Sequence, residues 1–379
     1  MAGIYIHIPF CRQACSYCDF YFITRKQLIP DFVDSLVNEI RSYEGKHYCD
    51  ETIQTVYLGG GTPSLLTEAQ LKHIFASLYE TFRIEPLEIT MELNPDDVTP
   101  EYLNSIKNLG ITRASIGIQS FRPELLSFMH RAHTREEAIQ ALEALEKTDF
   151  PDYSADLIYV NPGQTFEMLQ EDIEQLLVFN PPHISAYSLT IEPKTRIGKQ
   201  VELGRVKPPD DDEVSVHFDL LRNLLENAGM QQYEVSNFSI PGREAIHNSN
   251  YWNHHNYLGL GPAAHSFWQQ DGTAVRWVNK ADIKSYLKGE PGDYMADRET
   301  LEPVTLAEER LMLGLRTKKG VEPSILDKQY GYTFSSAQHN WIYSQAERGT
   351  LIFENGVLKL TPDGLKICDL LVVDLLTKR

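Results

Sequence analysis

The stretch Cys11-Arg-Gln-Ala-Cys15-Ser-Tyr-Cys18 places three of the five cysteines of the chain within eight residues. Thiolates suit iron–sulfur clusters, and several of them on one short loop can surround a single cluster. Three thiolates would leave one iron of a cubane [4Fe–4S] cluster without a protein ligand, and an open metal position is what catalysis requires. The alternative is a zinc knuckle, but zinc sites favour CxxC pairs and need a fourth ligand nearby. The spacing therefore favours a [4Fe–4S] cluster.

The composition of the 379-residue chain is that of an ordinary globular protein, with 42% hydrophobic and 23% charged residues. Cys49 and Cys368 are isolated, and an odd total with three clustered cysteines indicates a reducing compartment and a metal site, not disulfides. The net charge of −18 disfavours non-specific binding to nucleic acid or to an anionic membrane. No apolar run reaches membrane-spanning length and no signal peptide precedes the first strand, so we expect a cytoplasmic protein, at most peripheral at a membrane.

Strand and helix patterns alternate six times in the first part of the chain. The predicted strands are 3–7, 55–58, 87–92, 114–117, 153–159 and 183–189, and the predicted helices are 31–43, 67–82, 100–109, 134–147, 166–179 and 211–228. Repeated βα units imply parallel strands with right-handed crossovers. Polar and glycine-rich segments follow the first five strands, and in a βα barrel those loops share the face that holds active sites. We predict an α/β fold with a partial (β/α)6 TIM-like barrel; a flat doubly wound sheet is the alternative.

The pattern changes from about residue 233. Histidine, asparagine and aromatic residues crowd 246–256, and Pro291, Gly292 and Pro303 indicate a linker over 286–302. We predict a barrel over 1–235, an extension and linker over 236–302, and a small C-terminal α+β domain over 303–379. Helices are predicted in that domain at 306–315, 324–329, 335–347 and 362–376, with a hairpin at 351–360 around Asn355-Gly356.

Three helices and a hairpin resemble a winged helix, whose functional interpretation is nucleic-acid binding. From Leu301 onward the chain has ten acidic and ten basic residues and no basic stripe, so we expect a packing or lid domain and no nucleic acid. The last predicted helix is strongly apolar. We expect the apolar face of this helix to pack in the protein core or in a homodimer interface, and membrane association is the alternative. Its apolar residues are Ile367, Leu370, Leu371, Val373 and Leu376.

The run Gly59-Gly-Gly-Thr-Pro63 follows the second predicted strand, so its backbone can approach a ligand closely. A phosphate-binding P-loop requires a lysine after its glycines, and no lysine follows this run. Together with the cysteine spacing, the run resembles the radical S-adenosylmethionine (SAM) superfamily. The resemblance implies that SAM occupies the open iron with its amino and carboxylate groups, and that the glycine run receives the amino group.

Further motifs extend the resemblance over nearly the whole chain. They are Tyr5-Ile-His-Ile-Pro-Phe-Cys11, Glu92, Gly117-Ile-Gln-Ser-Phe121, Arg131 and Asp156-Leu-Ile-Tyr159. Their order resembles the branch that contains oxygen-independent coproporphyrinogen III oxidase and the haem chaperones called HemW. The resemblance implies that the cluster-bound SAM is held by Tyr5, Gly59, Gly60, Gly61, Thr62 and Glu92. The positions that hold a second SAM in the oxidase match Tyr17, Gln119, Arg131 and Asp156.

Three departures discriminate between two functions within this branch. Phe20 stands where the oxidase pattern has a fourth cysteine, and only ten residues precede Cys11, where the oxidase has an N-terminal extension. The third is His247-Asn-Ser-Asn-Tyr-Trp252, which matches the HNxxYW motif of HemW-type proteins, whose histidine is proposed to bind haem. We expect His247 in a loop that reaches the open face of the barrel. The rival ligands are His254, His255 and His265.

These departures favour a chaperone that binds haem or a porphyrin, keeps a [4Fe–4S] cluster and SAM, and delivers haem to membrane haemoproteins. The alternative function is that of coproporphyrinogen III oxidase, a radical oxidative decarboxylation in porphyrin biosynthesis. The chaperone interpretation predicts no such oxidase activity. Whether one or two SAM molecules bind stays open at this point.

Overall fold

The structure is a computed structural model that describes residues 2–270, 272–290 and 292–379. Six parallel strands form the centre of its sheet in the order in which they occur in the chain. They are β1 (Ala2–Ile8), β2 (Ile53–Gly60), β3 (Ile84–Leu93), β4 (Arg113–Gln119), β5 (Tyr153–Tyr159) and β6 (His183–Ser188). A strand order without a reversal is that of a βα barrel and not of a doubly wound sheet. The barrel stays open because β1 pairs with a later strand and not with β6. This confirms the predicted partial (β/α)6 barrel.

Helices connect these strands much as the sequence predicts. They are α1 (Ile29–Arg41), α2 (Glu68–Thr81), α3 (Pro100–Asn108), α4 (Pro123–Phe128), α5 (Arg135–Thr148), α6 (Phe166–Leu177), α7 (Arg196–Glu202) and α8 (Asp211–Asn227). Thr67 caps α2, since its Oγ1 accepts the N–H of Gln70 at 3.3 Å while Gln70 Oε1 accepts the N–H of Thr67 at 2.9 Å. The sequence does not predict α4 and α7, because helices of six and seven residues are too short to show helical periodicity.

The central strand β1 is buried on both sides, as expected where helices cover a parallel sheet. Ile4, Ile6 and Ile8 have no exposed surface and belong to the main hydrophobic core. Successive side chains of a strand point to opposite faces, so Tyr5 and His7 point the other way. There, Tyr5 OH and His7 Nδ1 lie 3.1 Å apart. One face of β1 therefore builds the core, and the other is available to a site.

The extension that follows the barrel adds strands to both edges of the sheet. Its elements are β7 (Gln231–Gln232), β8 (Asn237–Ser239), α9 (Ile246–Trp252), β9 (Asn256–Leu260), β10 (His265–Gln270), β11 (Thr273–Asn279), α10 (Ile283–Lys288) and β12 (Met295–Leu301). The sequence predicts a loop at His247 and a linker over 286–302, and both predictions are wrong, since α9 and β12 lie there. Charged residues fill β12, as is common in exposed edge strands, so no apolar alternation marks it. Pro291 lies outside the described residues.

The C-terminal region has a hydrophobic core of its own, which includes Leu311, Trp341, Leu358 and Leu375. Its elements are α11 (Pro303–Leu315), α12 (Pro323–Tyr330), α13 (Ser336–Glu347), β13 (Leu351–Glu354), β14 (Val357–Leu360), α14 (Pro362–Lys366) and α15 (Cys368–Thr377). The hairpin turn is as predicted, with φ of 52° and 78° at Asn355 and Gly356.

The last predicted helix, 362–376, is interrupted in the structure. Ile367, with φ −121° and ψ 28°, leaves the helical region and separates α14 from α15. On α15, Leu371 and Leu375 are buried in the core, whereas Leu370 and Val373 are 71% and 61% exposed. Part of the apolar face therefore remains on the surface. No helix among the described residues is both long enough and apolar enough to span a membrane.

Hydrogen bonds and an ion pair join the C-terminal region to the rest of the protein. Arg310 of α11 donates from Nη1 to the carbonyl of Trp252 at 2.6 Å, which ties α11 to α9. Lys366 Nζ lies 2.6 Å from Asp219 Oδ2 of α8. The C-terminal region is thus packed next to the last helix of the barrel and next to α9.

Candidate functional site

The cysteine loop that follows β1 is fixed to the barrel by its backbone. The N–H of Cys11 donates to the carbonyl of Ile23 at 2.9 Å and closes the loop on itself. The N–H of Ser16 donates to the carbonyl of Met129 at 2.9 Å, and the His130 ring lies 2.8 Å from the carbonyl of Ala14. These contacts hold the backbone of the loop against the segment between α4 and α5.

A cavity of about 530 Å³ opens beside this loop at the carboxyl ends of the barrel strands. Such a volume is typical of small-molecule sites. Most of the predicted site residues line it, namely Cys11, Cys15, Tyr17, Cys18, Gly60, Gly61, Thr62, Glu92, Gln119, Arg131 and Asp156. The structure therefore brings together residues that are up to 145 positions apart in the sequence.

Two of the predicted residues support the cavity from behind. The Tyr5 ring stacks on Tyr57 with a centroid separation of 6.0 Å. A Cβ at Gly59 would lie 2.7 Å from the ring of Tyr57 and 2.8 Å from Glu92 Oε1. Gly59 is thus required for the packing of Glu92.

The thiols of Cys11, Cys15 and Cys18 line the cavity, and burial makes two of them, Cys11 and Cys18, harder to deprotonate. Burial raises the pKa of Cys11 to about 11 and that of Cys18 to about 12. Iron binding therefore has to displace their protons, as in other thiolate metal sites.

No three His, Cys, Asp or Glu side chains in the described part of the chain are grouped so as to hold a single metal ion.

The glycine turn at the end of β2 packs against β1 without room for side chains. Gly60 has φ +105°, and a Cβ there would lie 2.4 Å from the ring of His7. A Cβ at Gly61 would lie 2.7 Å from the carbonyl oxygen of Ile8, to which the Gly61 N–H donates at 2.9 Å. Gly60 and Gly61 also line the cavity, so the backbone of the turn borders the space that a ligand would occupy.

Glu92 lies at the end of β3, next to the glycine turn. Its carboxylate accepts the hydroxyl of Tyr57 at 2.9 Å and the N–H of Gly60 at 2.9 Å. Burial raises the pKa of Glu92 to about 7. A cation placed beside it would stabilise the ionised form, so Glu92 is suited to receive an ammonium group.

The opposite wall of the cavity is made by β4 and β5. Asp156 accepts the hydroxyl of Ser115 at 2.9 Å and that of Ser154 at 3.0 Å, and burial raises its pKa to about 6. Gln119 has φ 65°, and its Oε1 is buried with no hydrogen-bond partner among the described residues. Buried polar atoms normally have partners, so Gln119 is available to a ligand.

Arg131 carries a positive charge to the cysteine loop. Its Nη2 donates to Asn94 Oδ1 at 2.8 Å and to the carbonyl of Gly117 at 3.0 Å. Its Nη1 lies 3.3 Å from the hydroxyl of Tyr17 and 3.5 Å from Cys15 Sγ. Arg131 Nε is buried without a partner among the described residues. A guanidinium placed in this way can pair with a carboxylate or with the negative charge of a cluster.

The donor set fits a [4Fe–4S] cluster with SAM beside it. Three thiols line the cavity, the glycine turn offers bare backbone, and two buried polar atoms, on Gln119 and Arg131, have no partner among the described residues. Glu92 and Asp156 add carboxylates that can accept from an ammonium or from ribose hydroxyls.

His247 is not where the sequence predicts it. It belongs to α9, which closes the amino end of the barrel, opposite the cysteine loop, and it is only 1% exposed. Its Nδ1 lies 2.9 Å from Thr55 Oγ1 and its Nε2 lies 2.8 Å from Tyr251 OH. Burial lowers the pKa of His247 to about 3, so the ring is neutral. The expectation of a loop at the open face is wrong, because α9 packs into the bottom of the barrel.

The three rival histidines lie around α9 and β10. His254 Nε2 is 3.2 Å from Glu309, and its ring stacks on Phe267 at 4.3 Å. His255 lines a second cavity of about 590 Å³ at the amino end of the barrel. His265 begins β10 and is exposed. None of the three lines the cavity that contains the cysteines.

Comparison with known proteins identifies the family to which this chain belongs. The sequence model described as Radical SAM superfamily matches residues 5–176. A Bacillus subtilis protein named Heme chaperone HemW is 32% identical over 370 residues, which cover 96% of each protein. The Lactococcus lactis protein of the same name is 32% identical over 365 residues, 96% of this chain and 94% of that protein. The chain belongs to the HemW family of radical SAM proteins.

A solved structure supports the same architecture for this HemW-family chain. Coproporphyrinogen III oxidase (HemN) from Escherichia coli superposes with a TM-score of 0.85, over 99% of this chain and 89% of the oxidase. The identity is 19%, so the similarity shows a shared fold and not a shared activity. The fold includes the C-terminal region as well as the barrel.

The sequence motifs of the HemW-family chain omit several residues that build the site. Tyr57 is one of them, since its hydroxyl holds Glu92 while its ring lies 5.1 Å from the ring of His247. It occupies β2 two residues before Gly59, and the alternation of a strand could have placed it on the inner face. Ser154 and His183, 2.8 Å apart, lie deeper in the same cavity, and no sequence motif marks them.

Proposed function

We propose that this protein is a haem chaperone that carries a [4Fe–4S] cluster and SAM and delivers haem to haemoproteins. The observation that carries the proposal is the 32% identity to proteins named Heme chaperone HemW over 96% of this chain. Because the similarity spans the extension and the C-terminal region, the proposal does not depend on the radical SAM core alone.

In this proposal the cluster is held by Cys11, Cys15 and Cys18, and SAM lies over the glycine turn. When bound, the cluster supplies an open iron position and a redox centre. Glu92 accepts the ammonium of SAM, beside the backbone of Gly60. Arg131, Gln119 and Asp156 line the rest of the cavity, where they offer a positive charge and acceptors for SAM groups or a second SAM.

The residue at position 20, at the exposed edge of the cavity, favours the chaperone function over the oxidase function. Phe20 lines this edge and is 67% exposed, at the position where the oxidase pattern has a fourth cysteine. We therefore expect no coproporphyrinogen III oxidase activity. The proposed acceptors are membrane haemoproteins, and the net charge of −18 would keep the free chaperone off anionic lipid until it meets such a partner.

His247 is our proposed haem ligand, and α9 must shift before it can act. A neutral imidazole is the form that ligates iron, but both nitrogens are bonded in this structure. If haem binds only to a minor conformation in which His247 is released, the apparent haem affinity is reduced in proportion to the population of that conformation. The contact with Thr55 lowers this population and therefore opposes haem binding.

Haem titration of cluster-loaded protein tests this assignment. We expect His247→Ala to weaken haem binding by about ten-fold or more and to shift the Soret band, because iron loses an axial ligand. We expect Thr55→Val to strengthen it, since the side chain keeps its shape but releases Nδ1. The control variants His254→Ala and His255→Ala should bind as the wild type does.

Each other outcome has a definite meaning. If His247→Ala keeps both the affinity and the Soret spectrum while His255→Ala loses them, the ligand is misassigned. If Thr55→Val weakens binding, release of His247 from β2 is not the limiting step. If the wild type binds no haem, the chaperone proposal itself is wrong.

A further inference from the structure

Gln119 lies in a strained turn at the end of β4. Its φ is 65°, and the N–H of Ser120 donates to the carbonyl of Ile118 at 2.8 Å across it. A three-residue turn with positive φ is rare and strained outside glycine. The turn brings Gln119 into the lining of the cavity, where its Oε1 has no partner among the described residues. Strain at such a point requires other contacts that hold the turn in place.

Asp172 of α6 supplies these contacts on one side of the turn. Its Oδ2 accepts the hydroxyl of Ser120 at 2.5 Å, and its Oδ1 accepts the N–H of Phe121 at 2.8 Å. The residue is only 2% exposed. Burial of a carboxylate is costly unless it is hydrogen-bonded, and hydrogen bonds to a charged acceptor are stronger than neutral ones. Asp172 therefore fixes the two residues that directly follow Gln119.

The residues before Gln119 are fixed from the other side. Arg131 Nη2 donates to the carbonyl of Gly117 at 3.0 Å, and His133 Nε2 lies 3.0 Å from the carbonyl of Ile118. Arg131 is itself part of the cavity wall. Asp172 is different, because it does not line the cavity and reaches it only through the turn.

We propose that Asp172 is a positioning residue of the SAM site, which holds the turn so that the Gln119 amide can accept an N–H or O–H of SAM. Without this anchor, Gln119 would relax to extended backbone, and its side chain would leave the cavity because side chains alternate along a strand. The proposal rests on the SAM site proposed above.

Calorimetric titration of SAM into cluster-loaded protein under anaerobic conditions tests the proposal. We expect Asp172→Asn to weaken SAM binding by about ten-fold, as for the loss of one charge-assisted contact. Gln119→Ala should cause a similar loss. The double variant should bind no more weakly than the single variants, because Asp172 acts through Gln119. Iron content should stay at the wild-type level in all three.

Glu39→Gln is the matched control for loss of a buried carboxylate. Glu39 of α1 accepts from Tyr286 OH at 2.6 Å and from the N–H of Gly261 at 2.8 Å, outside the cavity lining. This variant should lower the melting temperature and leave SAM affinity unchanged. If Asp172→Asn does not fold, Ser120→Ala removes one of the two contacts, and it should also weaken SAM binding.

Wild-type SAM affinity in a folded Asp172→Asn or Ser120→Ala protein would overturn the proposal. So would additive losses in the double variant, since these would mean that Asp172 acts on general stability. Both results leave the SAM site itself standing. If cluster-loaded wild type binds no SAM, the proposed SAM site fails, and the role of Asp172 fails with it.

Discussion

Each of the single variants Cys11→Ala, Cys15→Ala and Cys18→Ala should fail to reconstitute the cluster. The three thiols line one cavity on a loop fixed by backbone hydrogen bonds, so no other cysteine can take over a lost position. Two thiolates hold a cubane poorly. We expect iron and sulfide contents of each variant to fall to about a tenth of the wild-type value or less, because thiolates are the ligands these clusters require. The measurement is anaerobic reconstitution followed by iron and sulfide analysis.

Cys49→Ala is the matched control for this prediction. The Cys49 thiol lies 3.1 Å from the carbonyl of Tyr43 and does not line the cavity. Its removal should leave the iron content unchanged. Full iron content in Cys15→Ala would mean that the cluster, if present, is held elsewhere.

Gly60→Ala should nearly eliminate SAM binding. The new Cβ would lie 2.4 Å from the His7 ring, in a backbone conformation with φ +105° that disfavours any side chain. The turn would have to move, and its N–H would lose Glu92. We expect SAM affinity to fall by about a hundred-fold, equivalent to roughly 3 kcal/mol. Calorimetry on cluster-loaded protein measures it.

Gly110→Ala separates the effect of the site from that of backbone strain. Gly110 also has a positive φ, +92°, but no atom lies within 4 Å of its hypothetical Cβ. This variant should lose stability and keep its SAM affinity. Equal SAM affinity in Gly60→Ala and Gly110→Ala would contradict the placement of SAM over the glycine turn.

The barrel was predictable from the sequence because its signals are local. Central strands such as β1 appear as short apolar runs, and helices such as α2 begin at a threonine cap. The site was predictable for a related reason. Gly60, Glu92 and Gln119 lie at or next to the carboxyl ends of the successive strands β2, β3 and β4, and parallel topology brings those ends to one face.

The position of α9 could not be predicted, since distant residues determine it. The backbone N–H groups of Ile246 and His247, at its first turn, donate to the carboxylate of Glu88 at 3.0 and 2.8 Å. A cap normally comes from the residue just before the helix, but Glu88 is 159 positions away from His247. Seven residues with few apolar side chains also show no periodicity.

The roles of Tyr57 and Asp172 were missed for the same reason. Tyr57 matters because β3 brings Glu92 to its hydroxyl, and Asp172 matters because α6 packs beside the turn at Gln119. Neither contact leaves a local pattern in the sequence. Sequence motifs identified the residues that line the cavity, and the structure was needed to find those that hold them.

Transfer of haem to an acceptor is the function proposed for this protein, and it can be measured directly. Cluster-loaded protein carrying haem is mixed with a haem-free acceptor haemoprotein, and the haem content of the separated acceptor is followed by its Soret absorption. We expect the acceptor to gain haem at the expense of this protein, faster than from free haem in the same buffer. The contradicting result is failure of the acceptor to gain haem, together with conversion of coproporphyrinogen III to protoporphyrinogen IX when the same protein is incubated anaerobically with SAM and a reductant, which would indicate an oxidase.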